Sequence, residues 1–306
     1  MRTARLKAFA KLNRGLRILY KRPDQYHEIR TVFQTISLAD TLEVEFSKAP
    51  STSIEIHGTP EIPDNLVERA ARKILQAMDM EARVLFRLKK RIPAGAGLGG
   101  GSSDAAAVLL ALPVLAGKRV APADLHAMAT ELGSDVPFFL EGGAALGLGR
   151  GEELYPLPDR AATRALLVAP GIHSSTAEAY RDVSEKLTSI GLQNKLFSFQ
   201  QEIWRTGGSA HNDFEEGVFA RHPELSGIAD RLTSSGARPV AMTGSGSSIF
   251  GVFHDRERLL SAQRAFKEQT FEISFLSRSQ YRSAWRRALK QHTKGDQWPP
   301  QSRYAR

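Results

Sequence analysis

The 306-residue chain has no cysteine, so it can form no disulfide and offers neither a thiolate nucleophile nor a thiolate metal site. That absence is compatible with a reducing cytoplasm and gives no support to secretion on a disulfide framework. Long apolar runs are also missing. The longest, at 165–169 and 105–112, fall well short of the about 20 residues that a membrane span requires. Residues 1–22 contain no acid, only the cations Arg2, Arg5, Lys7, Lys11, Arg14, Arg17, Lys21 and Arg22, and no apolar h-region follows them, so a signal peptide is not expected. Residues 278–306 are basic in the same way, with Asp296 their one acid, so the net charge of +9 sits at the two ends and the middle is acidic. The histidines occur as singles without His-Glu-x-x-His spacing; no zinc site is expected and no protein ligand for a metal can be named. There is no internal repeat. At 42% hydrophobic and 25% charged, the chain can build two packed domains, and disorder, collagen and coiled coil are excluded.

Alternating apolar and polar residues over 3–57, with turn signals at Pro23-Asp24 and Ala39-Asp40, predict several antiparallel strands. From Asn65 the period becomes helical, with Leu66, Ala70, Ile74 and Met78 on one stripe and Asp64 as the expected cap. A strand is expected at 83–88, then a glycine-rich turn from Pro93 to Gly101 and a helix of small residues over 102–116. Leu125, Met128, Ala129 and Leu132 predict a further helix, closed by Gly133 in the left-handed region. The pattern breaks near Pro156-Leu157-Pro158-Asp159, so domains of 1–160 and 161–306 are expected. Beyond it we expect a strand at 165–169, helices near 176–186, 196–205 and 214–233, strands at 239–242 and 248–253, a helix at 256–268 and a strand at 271–276. The tail from Thr293 lacks periodicity and reads as a mobile extension of the basic segment that begins at about 280.

The strongest chemical signal is the run Pro93, Ala94, Gly95, Ala96, Gly97, Leu98, Gly99, Gly100, Gly101, Ser102, Ser103. Glycines let consecutive amides turn toward one concavity, and a helix that begins there adds unpaired N–H groups and a positive dipole end. A polyphosphate suits such a cradle, and the plain alternative is a flexible linker. Ser102 and Ser103 can cap the helix or bond phosphate oxygens. No Gly-Lys-Ser/Thr follows, so it is not a Walker loop, and no strand-then-acid arrangement makes it a dinucleotide fingerprint.

This run resembles the second motif of the GHMP kinases, and Met242-Thr243-Gly244-Ser245-Gly246-Ser247-Ser248 resembles their third. Ala8–Leu16 and Lys21–Glu28 resemble the first motif of the branch that phosphorylates a cytidine diphosphate-linked methylerythritol. Leu132–Phe139, Gly149–Glu152 and Asn212–Glu215 are similar to segments of the same branch, so the resemblance spans about residues 5–277. That branch usually has glycine where Gln25 stands, which bears on the shape of that turn.

The resemblance implies a two-domain α+β fold, the N-terminal domain like ribosomal protein S5 domain 2 and the C-terminal one ferredoxin-like. It implies ATP with Mg²⁺, and phosphorylation of the 2-hydroxyl of the small-molecule acceptor. By resemblance Asp135 takes or orients the hydroxyl proton beside Lys11; on local sequence alone Asp135 reads equally as a helix cap and Lys11 as a surface cation. Tyr26 and His27 would hold cytosine, with Asn13 at the acceptor end and Tyr180 lining the pocket, where a structural tyrosine is the alternative. Asn65, Leu66 and Lys90 match positions that contact adenine. Two rival readings are another small-molecule kinase of the superfamily and a silent relative that binds RNA or another polyanion through its basic ends.

Overall fold

The computed structural model describes residues 1–59, 64–159, 163–184, 199 and 210–305. Among them two sheets form. The first has β1 (Arg2–Lys21), β2 (His27–Lys48), β3 (Ser53–Thr59), β4 (Ala82–Lys89), β5 (Ala144–Leu148) and β6 (Glu153–Pro156), in the order β3-β4-β2-β5-β6 with β1 also on β2. The second orders β10 (Gln269–Ser274), β7 (Arg164–Ala169), β9 (Ile249–Phe253) and β8 (Val240–Met242). Only β3 and β4 run parallel; the other pairings are antiparallel.

β1 and β2 make one long hairpin around the expected turn at Pro23-Asp24. β1 begins with alternating burial and becomes buried on both faces beyond Phe9. The cause is position: Ala10, Leu12, Ile36 and Leu38 pack against Ala165, Leu167, Phe250 and Ile273 of the second sheet, so this stretch runs between two layers. The expected turn at Ala39-Asp40 does not exist. The strand continues through it, and the fully buried Asp40 accepts hydrogen bonds from the backbone of Arg91 and Ile92 and from Lys90. An acid can stay inside a strand when all its bonds are met from elsewhere in the chain.

Helix α1 (Leu66–Ala77) buries Val67, Ala70, Ala71, Ile74 and Leu75; of the expected stripe Ala70 and Ile74 face the core, Met78 is buried just past the helix end, and Leu66 is only half-buried. Its cap is Asn65, whose side chain accepts from the Val67 amide at 3.0 Å, and not Asp64. Helix α2 (Gly100–Ala116) begins two residues earlier than expected and is buried throughout from Ser103 to Ala116. A helix apolar all round must be enclosed, and α2 is the centre of the largest core cluster. Helix α3 (Pro122–Leu132) is followed by Gly133 at φ 164°, ψ 153°, ordinary extended backbone and not the left-handed closure expected. The short α4 (Val136–Glu141), β5 and β6 had no expectation of their own.

In the second half, Thr176–Ser184 is helical, and the stretch expected as one helix over 214–233 is two, Glu215–Arg221 and Pro223–Ser234, divided at His222-Pro223. Proline lacks the N–H that would continue the first helix and suits the first turn of the second. The helix expected near 196–205 lies outside the described residues, apart from the buried Phe199.

The tail is not an unstructured extension. Arg278–Leu289 is a helix opened by a capping box between Ser277 and Gln280, and it packs Tyr281, Trp285 and Leu289 into the core around α2. His292, Pro300 and Ser302 are buried beyond it. So the last segment of the chain belongs to the first layer, although it follows the second sheet in sequence.

Candidate active site

The two halves enclose a cleft of 1130 Å³ whose walls include Lys11, Asn13, Tyr26, His27, Asp135 and Tyr180. Gly95, Gly97, Gly99 and Ser102 of the glycine run and Gly244 and Ser245 of the second glycine turn also line it.

The phosphate-type loop is shaped by its glycines. Gly95, Gly97 and Gly99 all have φ between 64° and 74°, where a side chain is strained. Gly99 is the N-cap of α2 and no side chain caps that helix, so its first-turn amides are not taken by a capping oxygen. Ser102 faces the cleft, while Ser103 is buried with no partner for its hydroxyl. The second glycine turn packs directly beneath: a Cβ on Gly97 would run into the Thr243 carbonyl, and one on Gly244 would lie 3.1 Å from the Gly97 carbonyl. Asn212 holds that turn by donating to the carbonyls of Met242 at 2.9 Å and Gly244 at 2.8 Å. Beside it, Glu215 accepts from the Met242 amide at 2.7 Å, and burial raises its pKa to about 7. The segment Asn212–Glu215 thus acquires a physical role: it anchors the turn on which the phosphate-type loop rests.

Lys11 and Asn13 lie two residues apart on β1, between two register shifts of the β1–β2 ladder. A strand's period of two places both on one face, and bulges re-aim local side chains. The Lys11 ammonium donates to Asn13 Oδ1 at 2.5 Å and lies 3.3 Å from Asp135 Oδ2. Lys11 is 4% exposed, so it is not a solvated surface cation. Its stem passes under the loop: a Cβ on Gly99 would be 3.2 Å from Lys11 Cγ. Asn13 is fixed in turn, its amide nitrogen donating to Thr31 Oγ1 at 2.8 Å and its backbone N–H to Thr243 Oγ1 at 2.9 Å.

Asp135 occupies the residue before α4, yet its side chain makes no capping bond. The carboxylate is directed to Lys11 instead, which removes the helix-cap alternative.

Tyr26 lines the open end, 56% exposed, with the Arg150 guanidinium 4.6 Å from its ring centroid. His27 stacks on Tyr180, centroids 4.7 Å apart and planes at 17°, and its Nε2 is 2.6 Å from Ser184 Oγ. Burial, then the charge of Lys21, keeps the His27 pKa below the ordinary histidine value, so the ring is neutral at pH 7. Tyr180 packs edge-on against Phe214, and burial together with the Asp135 charge pushes its phenol to about 12. The hairpin carrying Tyr26 is tied down by Glu28. Burial pushes that acid up, but bonds from Arg30 and Arg22 outweigh burial and hold it below the usual carboxylate range.

The three residues matched to adenine contacts separate. Leu66 lines the cleft. Asn65 uses its side-chain oxygen as the cap of α1. Lys90 does not line the cleft; it lies under the loop, bonded to Asp40 at 2.5 Å and Asp104 at 2.7 Å. Sequence reasoning gave no role to Arg150, or to Ser174 and Thr176, which bond Ser245 at 2.7 and 2.8 Å and tie the start of the Thr176–Ser184 helix to the second glycine turn. The small hydroxyl run at 174–176 after a buried strand was the signal there. Among the described residues no group of three His, Asp or Glu side chains could hold a metal ion, and no helix is long and apolar enough to cross a membrane.

Comparison with known proteins bears on this geometry directly. The model for the GHMP kinases N terminal domain matches residues 65–143, and that for GHMP kinases C terminal matches residues 200–272. A 4-diphosphocytidyl-2-C-methyl-D-erythritol kinase of Solibacter usitatus (strain Ellin6076) is 55% identical over 99% of this chain and 98% of its own length. One from Chlorobium limicola (strain DSM 245 / NBRC 103803 / 6330) is 40% identical over 88% and 95%. A crystal structure of 4-(cytidine 5'-diphospho)-2C-methyl-D-erythritol kinase superposes with a TM-score of 0.74 at 35% identity, covering 89% of this chain and 98% of that one. A homoserine kinase from Cytophaga hutchinsonii ATCC 33406 shares the fold, with a TM-score of 0.69 at 17% identity over 90% and 95%.

Proposed function

The chain belongs to the 4-diphosphocytidyl-2-C-methyl-D-erythritol kinase family of the GHMP kinases, and on that premise we propose that it transfers the γ-phosphoryl group of ATP to the 2-hydroxyl of that cytidine diphosphate-linked acceptor. One observation carries the assignment of roles: the carboxylate of Asp135, unused as a cap, meets the buried Lys11 ammonium in a cleft whose other wall is the glycine loop.

Phosphoryl transfer asks little covalent work of a protein; donor and acceptor must be held in line and the developing charge stabilised. The loop amides and the start of α2 take the triphosphate. Asp135 accepts or orients the proton of the acceptor hydroxyl. Lys11 steadies the carboxylate and the negative charge that builds on the attacking oxygen, with Asn13 fixing the ammonium. Holding two substrates together is worth about 7–11 kcal/mol, and a well-placed base about 3–5 kcal/mol, so positioning dominates.

The donor set fits Mg²⁺ carried chiefly by the nucleotide. Two carboxylates, Glu131 and Asp135, line the cleft and would be the protein groups near such an ion, which would keep most of its oxygen ligands from the nucleotide and water. Its contribution is to neutralise phosphate charge. Tyr26, His27 and Tyr180 form the aromatic end suited to a pyrimidine. The proposed compartment is the cytoplasm, where ATP is at hand.

The test is acceptor-dependent ADP release by the purified chain. Turnover is expected with the cytidine diphosphate-linked methylerythritol and not with homoserine or mevalonate; the reverse pattern overturns the substrate assignment.

A further inference from the structure

Helix α4 is six residues long, with Asp135 at its head and Glu141 at its foot, and its foot is gripped by the C-terminal segment. A helix leaves its last four carbonyls without partners inside the helix, and buried ones must be satisfied from outside. Here the Phe138 carbonyl accepts from the Gly142 amide at 2.9 Å. The Phe139 carbonyl accepts from the hydroxyl of Tyr281, and the Leu140 carbonyl from Trp298 Nε1 at 3.0 Å. Glu141 forms an ion pair with Arg282.

The fit is close on the backbone side as well. Gly142 lies against the Tyr281 ring, where an added Cβ would be 2.5 Å from the ring carbons, and Gly143 lies against the backbone of Arg278. Tyr281 is 1% exposed and its ring also meets Trp298, centroids 6.3 Å apart.

Helix α4 also touches the phosphate-type loop. A Cβ on Gly99 would be 3.0 Å from the Phe139 ring, and Phe138 packs on Phe33, above which the Lys11 ammonium lies 5.6 Å from the ring centroid. A single rigid turn-and-a-half of helix, about 9 Å long, therefore connects the contacts of Tyr281 and Trp298 to the carboxylate at its other end.

We propose that Tyr281 and Trp298 are positioning residues for the transfer step, acting through α4 to fix the Asp135 carboxylate against Lys11 and the loop. The proposal rests on the reading of Asp135 as the acceptor-side base. Neither residue is among those that line the cleft, so substrate binding does not depend on them directly.

The experiment is steady-state kinetics on the full chain with Tyr281→Phe and Trp298→Phe, each of which removes one donor and keeps an aromatic ring, alone and combined with Asp135→Asn. The single variants should lose about tenfold or more in kcat with both KM values within twofold of wild type, because a displacement of about 1 Å costs on the order of a hundredfold. In the Asp135→Asn background neither should cause further loss. Trp298 lies nearer the surface than Tyr281, so its variant tests the proposal even if Tyr281→Phe folds poorly. Unchanged kcat in both variants, or the same loss with and without the Asp135 carboxylate, overturns the proposal alone. If Asp135→Asn by itself keeps full turnover, the reading of Asp135 falls and takes this proposal with it.

Discussion

Lys11 Nζ lies 3.3 Å from Asp135 Oδ2, a contact between a strand near the start of the chain and the head of a short helix. The pairing explains why an exposed-looking acid after a glycine remains uncapped and why a lysine can be buried. Replacing Asp135 with Asn should leave ATP affinity within about threefold and lower turnover at least about a hundredfold. Isothermal titration with a non-hydrolysable ATP analogue, paired with single-turnover rates, checks both halves of this expectation.

The aromatic end offers a separable prediction. His27 is held between Tyr180 and Ser184 as a neutral ring beside Tyr26. Substituting His27 with Ala should raise the KM for the cytidine-containing acceptor about tenfold or more while the KM for ATP changes little. Equal changes in the two constants would show that the substitution disturbs the cleft as a whole.

Gln25 sits at φ 69°, in the left-handed region, at the tip of the hairpin that presents Tyr26. A residue with a Cβ is strained there by roughly 1–2 kcal/mol, and glycine offsets part of its gain with roughly 0.5–1 kcal/mol of lost chain entropy. Gln25→Gly should therefore raise the melting temperature by about 1–3 °C. Gln25→Val, branched at Cβ, should lower it. Calorimetry that ranks valine above glycine would refute this account of the turn.

Asp104 supplies a pH test. Its pKa is raised to about 7 by burial, with Lys90 pulling it down and Asp40 pushing it up. An unfolded aspartate titrates near about 3.9, so between that value and 7 the folded chain keeps a proton that the unfolded chain gives up. Stability from this group is thus greatest at low pH and falls as the pH rises through that window. Asp104→Asn cannot titrate, and its melting temperature relative to the wild type should climb from pH 5 to about pH 7 and level off above that. A constant difference over that range would argue against a titrating Asp104.

What the sequence made legible follows the range of the interactions involved. The stripe of α1, the hairpin turn at Pro23-Asp24 and the glycine loop ahead of α2 are decided by neighbours in the chain and appear close to where expected, although Leu66 lies at the edge of the stripe and α2 takes in Gly100 and Gly101. Ala39-Asp40 reads as a turn because its local composition is that of one. Only the amides of Arg91 and Ile92 and the ammonium of Lys90 make it a strand. The tail from Thr293 has no period because its anchor is tertiary: Trp298 donates to the Leu140 carbonyl in α4. In the cleft, the face shared by Lys11 and Asn13 follows from the period of a strand. Whether Asp135 caps or reacts does not, since the answer lies with Lys11. Lys90 was assigned to the nucleotide by similarity of position, and the two buried aspartates that claim it are invisible in its own neighbourhood.

The cleft draws on residues from Lys11 to Ser245, and the foot of α4 on Trp298, so almost the whole polypeptide must emerge from the ribosome before the parts can meet. At about 5–20 residues per second, the first strand waits on the order of ten to sixty seconds for its last partners. Throughout that interval the apolar face of β1 is without the second sheet that covers it, which makes the nascent chain, more than the finished enzyme, the species most in need of a chaperone.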